Sequence, residues 1–367
     1  MNGIVIILMI VACILAQRSQ RRVSNDMCSY VLFRKGYFVL SYTILMLIVF
    51  LTKSGADIPV YVHDYLNCGI ENLGDLSTEA GYTLLNIALS SIIKNPYIGI
   101  GVIKAISLGL VFYAIYIVRD KVNIGISVFA YCCLLYIYNF QLLRMMMAIG
   151  LVYLALSFEM IDKTKKCIFL MALAFFFHYS SIFMILAYLA TKLFLREKIN
   201  ISKICIMTLV ISIIMANCYS IIIFFQSNVS FFHKYSAYTR VISENSGLGQ
   251  LILFIPVVYL LAYRYTSDYL RKDYVYALVF GIMTFVCGMI GYFLPITRMT
   301  YFFYYFFIYY GATFSVNGER RYLKLGPIRI GIQTTIIILY LIFMFVFYIA
   351  NGGIKSAALS QYVFFWN

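Results

Sequence analysis

Acidic side chains are scarce in this sequence: 14 Asp and Glu stand among 367 residues. Charged residues of both signs make up 12% of the chain, against about 25% in an average soluble protein. That deficit excludes a soluble globule of ordinary make-up, an acidic disordered tail and a charged coiled coil. Also missing are a Walker A loop, a G-x-G-x-x-G fingerprint, an H-E-x-x-H pair and any C-x-x-C. Nucleotide-driven pumping and zinc chemistry therefore have no support, and no cofactor or metal is expected. The 29 Lys and Arg form no single stripe, so the net charge of +15 does not point to nucleic acid. Internal repeats, which a transporter built from two related halves would show, are not evident either.

What is abundant is apolar. Hydrophobic residues make up 63% of the chain and the mean hydropathy is +0.89. A bilayer core of roughly 30 Å is crossed by about 20 apolar residues. The chain is thus expected to be an all-α, polytopic integral membrane protein forming one domain over residues 1–367. The nine cysteines fall mostly inside apolar runs, where they pack as small hydrophobes. Ile10 to Cys13 has the outline of a lipoprotein cleavage box. The flanking charges run the wrong way, however, with Arg18, Arg21 and Arg22 after it and no Lys or Arg before it, so an uncleaved first helix is expected.

Apolar runs give candidate helices at 3–16, 37–52, 97–118, 123–140, 145–161, 166–178, 180–194, 204–225, 250–263, 273–295, 299–316 and 330–350. Placing Arg18 to Lys35 in the cytoplasm puts 21 of the 29 basic residues in cytoplasmic loops, following the positive-inside rule. One junction decides the count. If 167–190 were a single crossing, the total would be eleven and one basic cluster would lie outside. A break at His178 to Ser181 gives twelve and keeps both clusters inside. Residues 79–93 are apolar but too short to span and read as an interfacial or re-entrant segment. The outer face then carries loops 53–96 and 227–249, with the tail 351–367 beside them.

Basic residues left outside need another explanation. Arg144 and Arg298 each open a helix expected to run from outside to inside, where free N–H groups and the helix dipole favour an anion. A guanidinium there matches the planar geometry of phosphate; snorkelling to lipid headgroups is the plainer alternative. Arg240, with His233 and Lys234, could help from the second outer loop. His178 lies at the outer membrane edge, where an ionisable group suggests function. Of the first-loop acids, Asp57 and Glu79 lie nearest to apolar segments and could serve as bases, while Asp64, Glu71 and Asp75 read as solvated loop charges. The run Thr300 to Tyr310 supplies either an interfacial aromatic belt or rings that stack on sugars.

Several stretches together resemble the EpsG-type exopolysaccharide polymerases, related in role to the Wzy O-antigen and capsule polymerases. They are Gly55-Ala-Asp57 with Tyr61, followed by Glu79-Ala-Gly-Tyr82; Gln141-Leu-Leu-Arg144; Leu173 to Ser180 around His178; and Arg298 with its Tyr-Phe helix. Gln361 to Trp366 adds to the likeness. Two departures are that Ile58, not Tyr, follows Asp57, and that Met145 follows Arg144 where the family often has Gln. The resemblance implies a GT-C-like, inverting glycosyltransferase on the outer face of the bacterial inner membrane. Its substrates would be undecaprenyl-diphosphate-linked oligosaccharides. It would work among membrane lipids, beside the flippase and chain-length regulator of the same pathway. On that reading Arg144, Arg298 and Arg240 hold the diphosphate, and His178, Asp57 or Glu79 supplies the base. Tyr61, Gln141 and Tyr301 contact sugar. A flippase for lipid-linked glycans and a membrane O-acyltransferase are the alternatives.

Overall fold

The computed structural model describes residues 3–25, 28–71, 79–197, 200–216, 228, 258, 271–289, 294–313, 322–325, 328–350 and 362–364. Arg240, the loop 227–249 and the expected helix 250–263 lie outside the described residues, apart from isolated positions.

The chain is dominated by helices. In order they are α1 (Gly3–Arg18), α2 (Lys35–Phe50), α3 (Ile58–Leu66), α4 (Ala80–Ile92), α5 (Pro96–Ile117), α6 (Ile124–Leu134), α7 (Leu143–Met160), α8 (Thr164–Phe177), α9 (Ile182–Arg196), α10 (Ile201–Ala216), α11 (Arg271–Met289), α12 (Leu294–Phe303) and α13 (Ile332–Ala350). Among the described residues, three segments are long and apolar enough to cross a membrane: Pro96–Ile117, Leu143–Met160 and Tyr179–Arg196. Shorter apolar helices accompany them, and the protein is an integral membrane protein. Two small antiparallel hairpins interrupt the helical pattern: β1 (Gln20–Asn25) with β2 (Cys28–Phe33), and β3 (Tyr322–Leu325) with β4 (Ile328–Gly331). Both occupy stretches expected to be basic loops.

Two compact units are present, Met1–Tyr179 with Phe307–Asn367, and Ser180–Phe306. In the first, α7 is the central helix: every one of its residues except Arg144 is buried. It packs against α5 and α8, and α2 packs against α5. Local chemistry sets the helix starts. Asn95 caps α5 by accepting from the amides of Tyr97 and Ile98, with Pro96 in the first turn, where its missing N–H costs nothing. Asn123 caps α6 through Ile126 N–H in the same way. Lys104 is wholly buried on α5. Its Nζ donates to the Thr52 carbonyl at 3.3 Å and lies 6.0 Å from the centre of the Phe140 ring. The stretch just after α2 is tied to the C-terminal segment, with Lys53 N–H and Thr52 Oγ1 both donating to the Val363 carbonyl. In the second unit α11 packs against α9, α10 and α12.

Candidate active site

Three helix ends converge in the first unit. Glu79 stands at the N-cap of α4, its carbonyl accepting from the amides of Tyr82 and Thr83, but its side chain makes no capping bond. Its carboxylate instead meets two other helix ends. Arg144 Nη1 donates to Glu79 Oε2 at 2.7 Å, and His178 Nδ1 lies 2.8 Å from Glu79 Oε1. Arg144 is the second residue of α7, and His178 is the extended residue that ends α8, its own N–H donating to Ala174. Each charge faces a helix dipole. The carboxylate sits at the positive end of α4 and the imidazole at the negative end of α8. The guanidinium sits at the positive end of α7, a combination that favours a bound anion.

A glycine makes the meeting of α4 and α8 possible. A Cβ on Gly81 would lie 2.9 Å from the Phe176 carbonyl oxygen. Gly81→Ala must therefore push the two helices apart by a few tenths of an ångström and stretch the Glu79–His178 bond. A cost of about tenfold in turnover is expected, since a misplacement of 1 Å can cost about 10². Turnover in isolated membranes at matched protein level checks it.

Tyrosines wall the guanidinium. The Arg144 Cζ is 5.8 Å from the centre of the Tyr61 ring and 5.9 Å from that of Tyr82. The two rings meet edge to face at 5.8 Å, and the Tyr61 side chain also hydrogen-bonds Arg144. Cation–π contacts of this sort hold a guanidinium flat and weakly hydrated. Beneath them lies a core of Ile58, Ile100, Ile103, Leu143 and Met147.

Burial pushes the Glu79 carboxyl up, but the His178 hydrogen bond and the Arg144 charge outweigh it and hold the group below its ordinary 4.5. At neutral pH Glu79 is thus ionised and can only accept, so the shared proton belongs to His178 Nδ1. His178 Nε2 is left as the ring nitrogen able to take a second proton. The depressed carboxyl adds stability that is complete above 4.5 and is lost as the pH falls through its lower folded value. Asp64, whose carboxyl burial raises, acts in the opposite sense. Thermal unfolding of the detergent-solubilised protein in acid is expected to fall more steeply for wild type than for Glu79→Gln. Matching slopes would show that the carboxylate adds nothing.

Other expected site residues are placed as follows. Asp57 is the N-cap residue of α3, one turn before Tyr61, with no side-chain capping bond. Gln141 is half-buried just ahead of α7. Arg298 and Tyr301 lie on α12 in the second unit. Arg298 is the fifth residue of that helix rather than its opener, and Tyr301 is buried with its ring 5.8 Å from that of Tyr304. Arg240 lies outside the described residues. Tyr82, quoted only as part of a motif, forms a wall of the cluster. Asp64, expected to be a solvated loop charge, has a side chain only 25% exposed. Among the described residues no three His, Cys, Asp or Glu side chains are grouped to hold a metal ion.

The model of the EpsG family matches residues 35–364, and the chain belongs to that family. Membership points to a polysaccharide polymerase in general terms. No curated protein and no solved structure matches the chain.

Proposed function

We propose that this protein is an inverting, GT-C-like glycosyltransferase that joins undecaprenyl-diphosphate-linked oligosaccharide repeat units on the outer face of the bacterial inner membrane, in a bundle of twelve crossings. The observation that carries the reading is the Arg144–Glu79–His178 network. Arg144 provides a cation, walled by tyrosines, for a lipid diphosphate. Its remaining N–H donors face the leaving group while one donates to Glu79. Glu79 fixes the His178 tautomer as a carboxylate does in a nucleophile-activating triad, so Nε2 takes the proton of the acceptor hydroxyl. The acceptor oxygen bonds to the anomeric carbon as the bond from that carbon to the phosphate oxygen breaks. The diphosphate leaves with its negative charge toward Arg144. One displacement inverts the centre and needs no enzyme nucleophile.

A gel ladder of surface polysaccharide tests the reading. A strain deleted for the protein should accumulate single repeat units. Complementation with Arg144→Ala or His178→Ala, at normal protein level, should leave that pattern unchanged, and Arg298→Ala is run in parallel. Normal chain length after deletion would overturn the polymerase. Intermediates trapped on the inner leaflet would mean a flippase, and full-length chains lacking acetyl groups an acyltransferase.

A further inference from the structure

Both oxygens of Glu79 are engaged, and a second carboxylate, Asp64, feels the charge of the same guanidinium. Asp64 lies on α3 three residues after Tyr61, which holds Arg144, and directly before Tyr65. Tyr65 anchors the helix: its hydroxyl donates to the Ile93 carbonyl at 2.8 Å, and its ring fills a notch on α5 where a Cβ on Gly99 would clash. With Tyr61 fixed against Tyr82 as well, α3 is pinned at two points on one face, and Asp64 between them is held in place. The side chain is three-quarters buried. His63 Nδ1 is a long 3.9 Å away, and the His63 side chain is itself 75% exposed. That long contact is the only hydrogen bond bearing on the Asp64 carboxylate among the described residues. Burial raises its carboxyl against the lowering pull of the Arg144 charge and of the charge and hydrogen bond of His63.

Resting on the polymerase reading, we propose that Asp64 forms a sugar subsite of the same centre, its carboxylate accepting hydroxyls of the pyranose ring attached to the diphosphate that Arg144 holds. Sugar hydroxyls supply closer donors than the long His63 contact, and a carboxylate takes two of them at once. The charge also has a cost: Asp64 repels a diphosphate and so disfavours the bare lipid carrier, which brings no hydroxyls in return. The subsite therefore discriminates glycosylated lipid from the spent carrier that the reaction releases.

Two ligands measured on the full-length protein in detergent separate these effects: lipid-linked repeat units purified from a deletion strain, and undecaprenyl diphosphate without sugar. Asp64→Asn should weaken binding of the repeat unit by about 10- to 100-fold, the worth of hydrogen bonds to a charged group. It should leave the bare lipid diphosphate bound equally or more tightly. Arg144→Ala should weaken both. Asp64→Glu, which keeps the charge, should recover part of the repeat-unit affinity. Parallel loss of both ligands in Asp64→Asn would overturn the subsite, as would unchanged affinity for both with turnover lost. Failure of wild type to bind either ligand would instead defeat the polymerase reading beneath it.

Discussion

Replacing Glu79 with Gln is expected to lower the rate of polymer growth by about 10⁴, the measured worth of a carboxylate that orients a catalytic imidazole. Gln keeps the shape but not the charge. Its amide can accept from only one of the two partners that Glu79 now bridges, Arg144 Nη1 at 2.7 Å and His178 Nδ1 at 2.8 Å. Its NH₂ group then faces the other, and the imidazole is pushed to the tautomer with the proton on Nε2, which cannot act as base. Glu79→Ala goes further, leaving a largely covered guanidinium without its counter-charge. Breaking such a pair costs about 3–5 kcal/mol, so that variant is expected at reduced protein level. Glu79→Gln is the informative one: incorporation of labelled repeat units by isolated membranes, normalised to protein amount, reads the chemistry alone. A rate near wild type would remove Glu79 and the His178 tautomer from the mechanism.

The second large effect is at Arg144. Loss of one donor to a developing oxyanion costs about 10²–10³ in rate, and Arg144→Ala is expected to cost at least that much. Arg144→Lys should recover little. Arg144 donates to Glu79 at a fixed angle, bonds Tyr61 and lies against two aromatic rings. A flexible ammonium cannot hold that geometry and still offer paired donors to a diphosphate. Full activity in Arg144→Lys would mean that only a point charge is required.

Much of this arrangement was legible in the sequence because a membrane makes ionisable residues conspicuous. Arg144 and His178 stand at the ends of apolar runs, and Glu79 opens a segment too short to span. The basic clusters on either side of 167–190 called for a break at His178, where the helix does end. The pairing itself was not legible. The resemblance gave Tyr61 to sugar, and its contact with Arg144 had no signal in the sequence. Asp64 was read as loop charge because α3 is a nine-residue helix, below the length at which hydropathy registers. The usable signal was the helical spacing of Ile58, Tyr61 and Tyr65, all buried. Arg298 falls inside α12 rather than at its start because Pro295, suited to a first turn, begins the helix earlier. The hairpins were missed because basic side chains hid strand-forming residues such as Val23, Tyr30 and Val31.

The three partners also fix an order of assembly. Glu79 is 65 positions from Arg144 and 99 from His178, with the five helices α4 to α8 between the first and the last. A growing chain that has just inserted α7 can pair Glu79 with Arg144, but the imidazole is not yet synthesised, and closing so long a loop is entropically slow. The charge network is therefore complete only when α8 docks against α7 and presents its C-cap residue, His178, to Glu79. A chain that stalls before that point carries an incomplete charge cluster inside a lipid-facing bundle. Such a half-made product differs from the finished one in leaving Glu79 with a single partner.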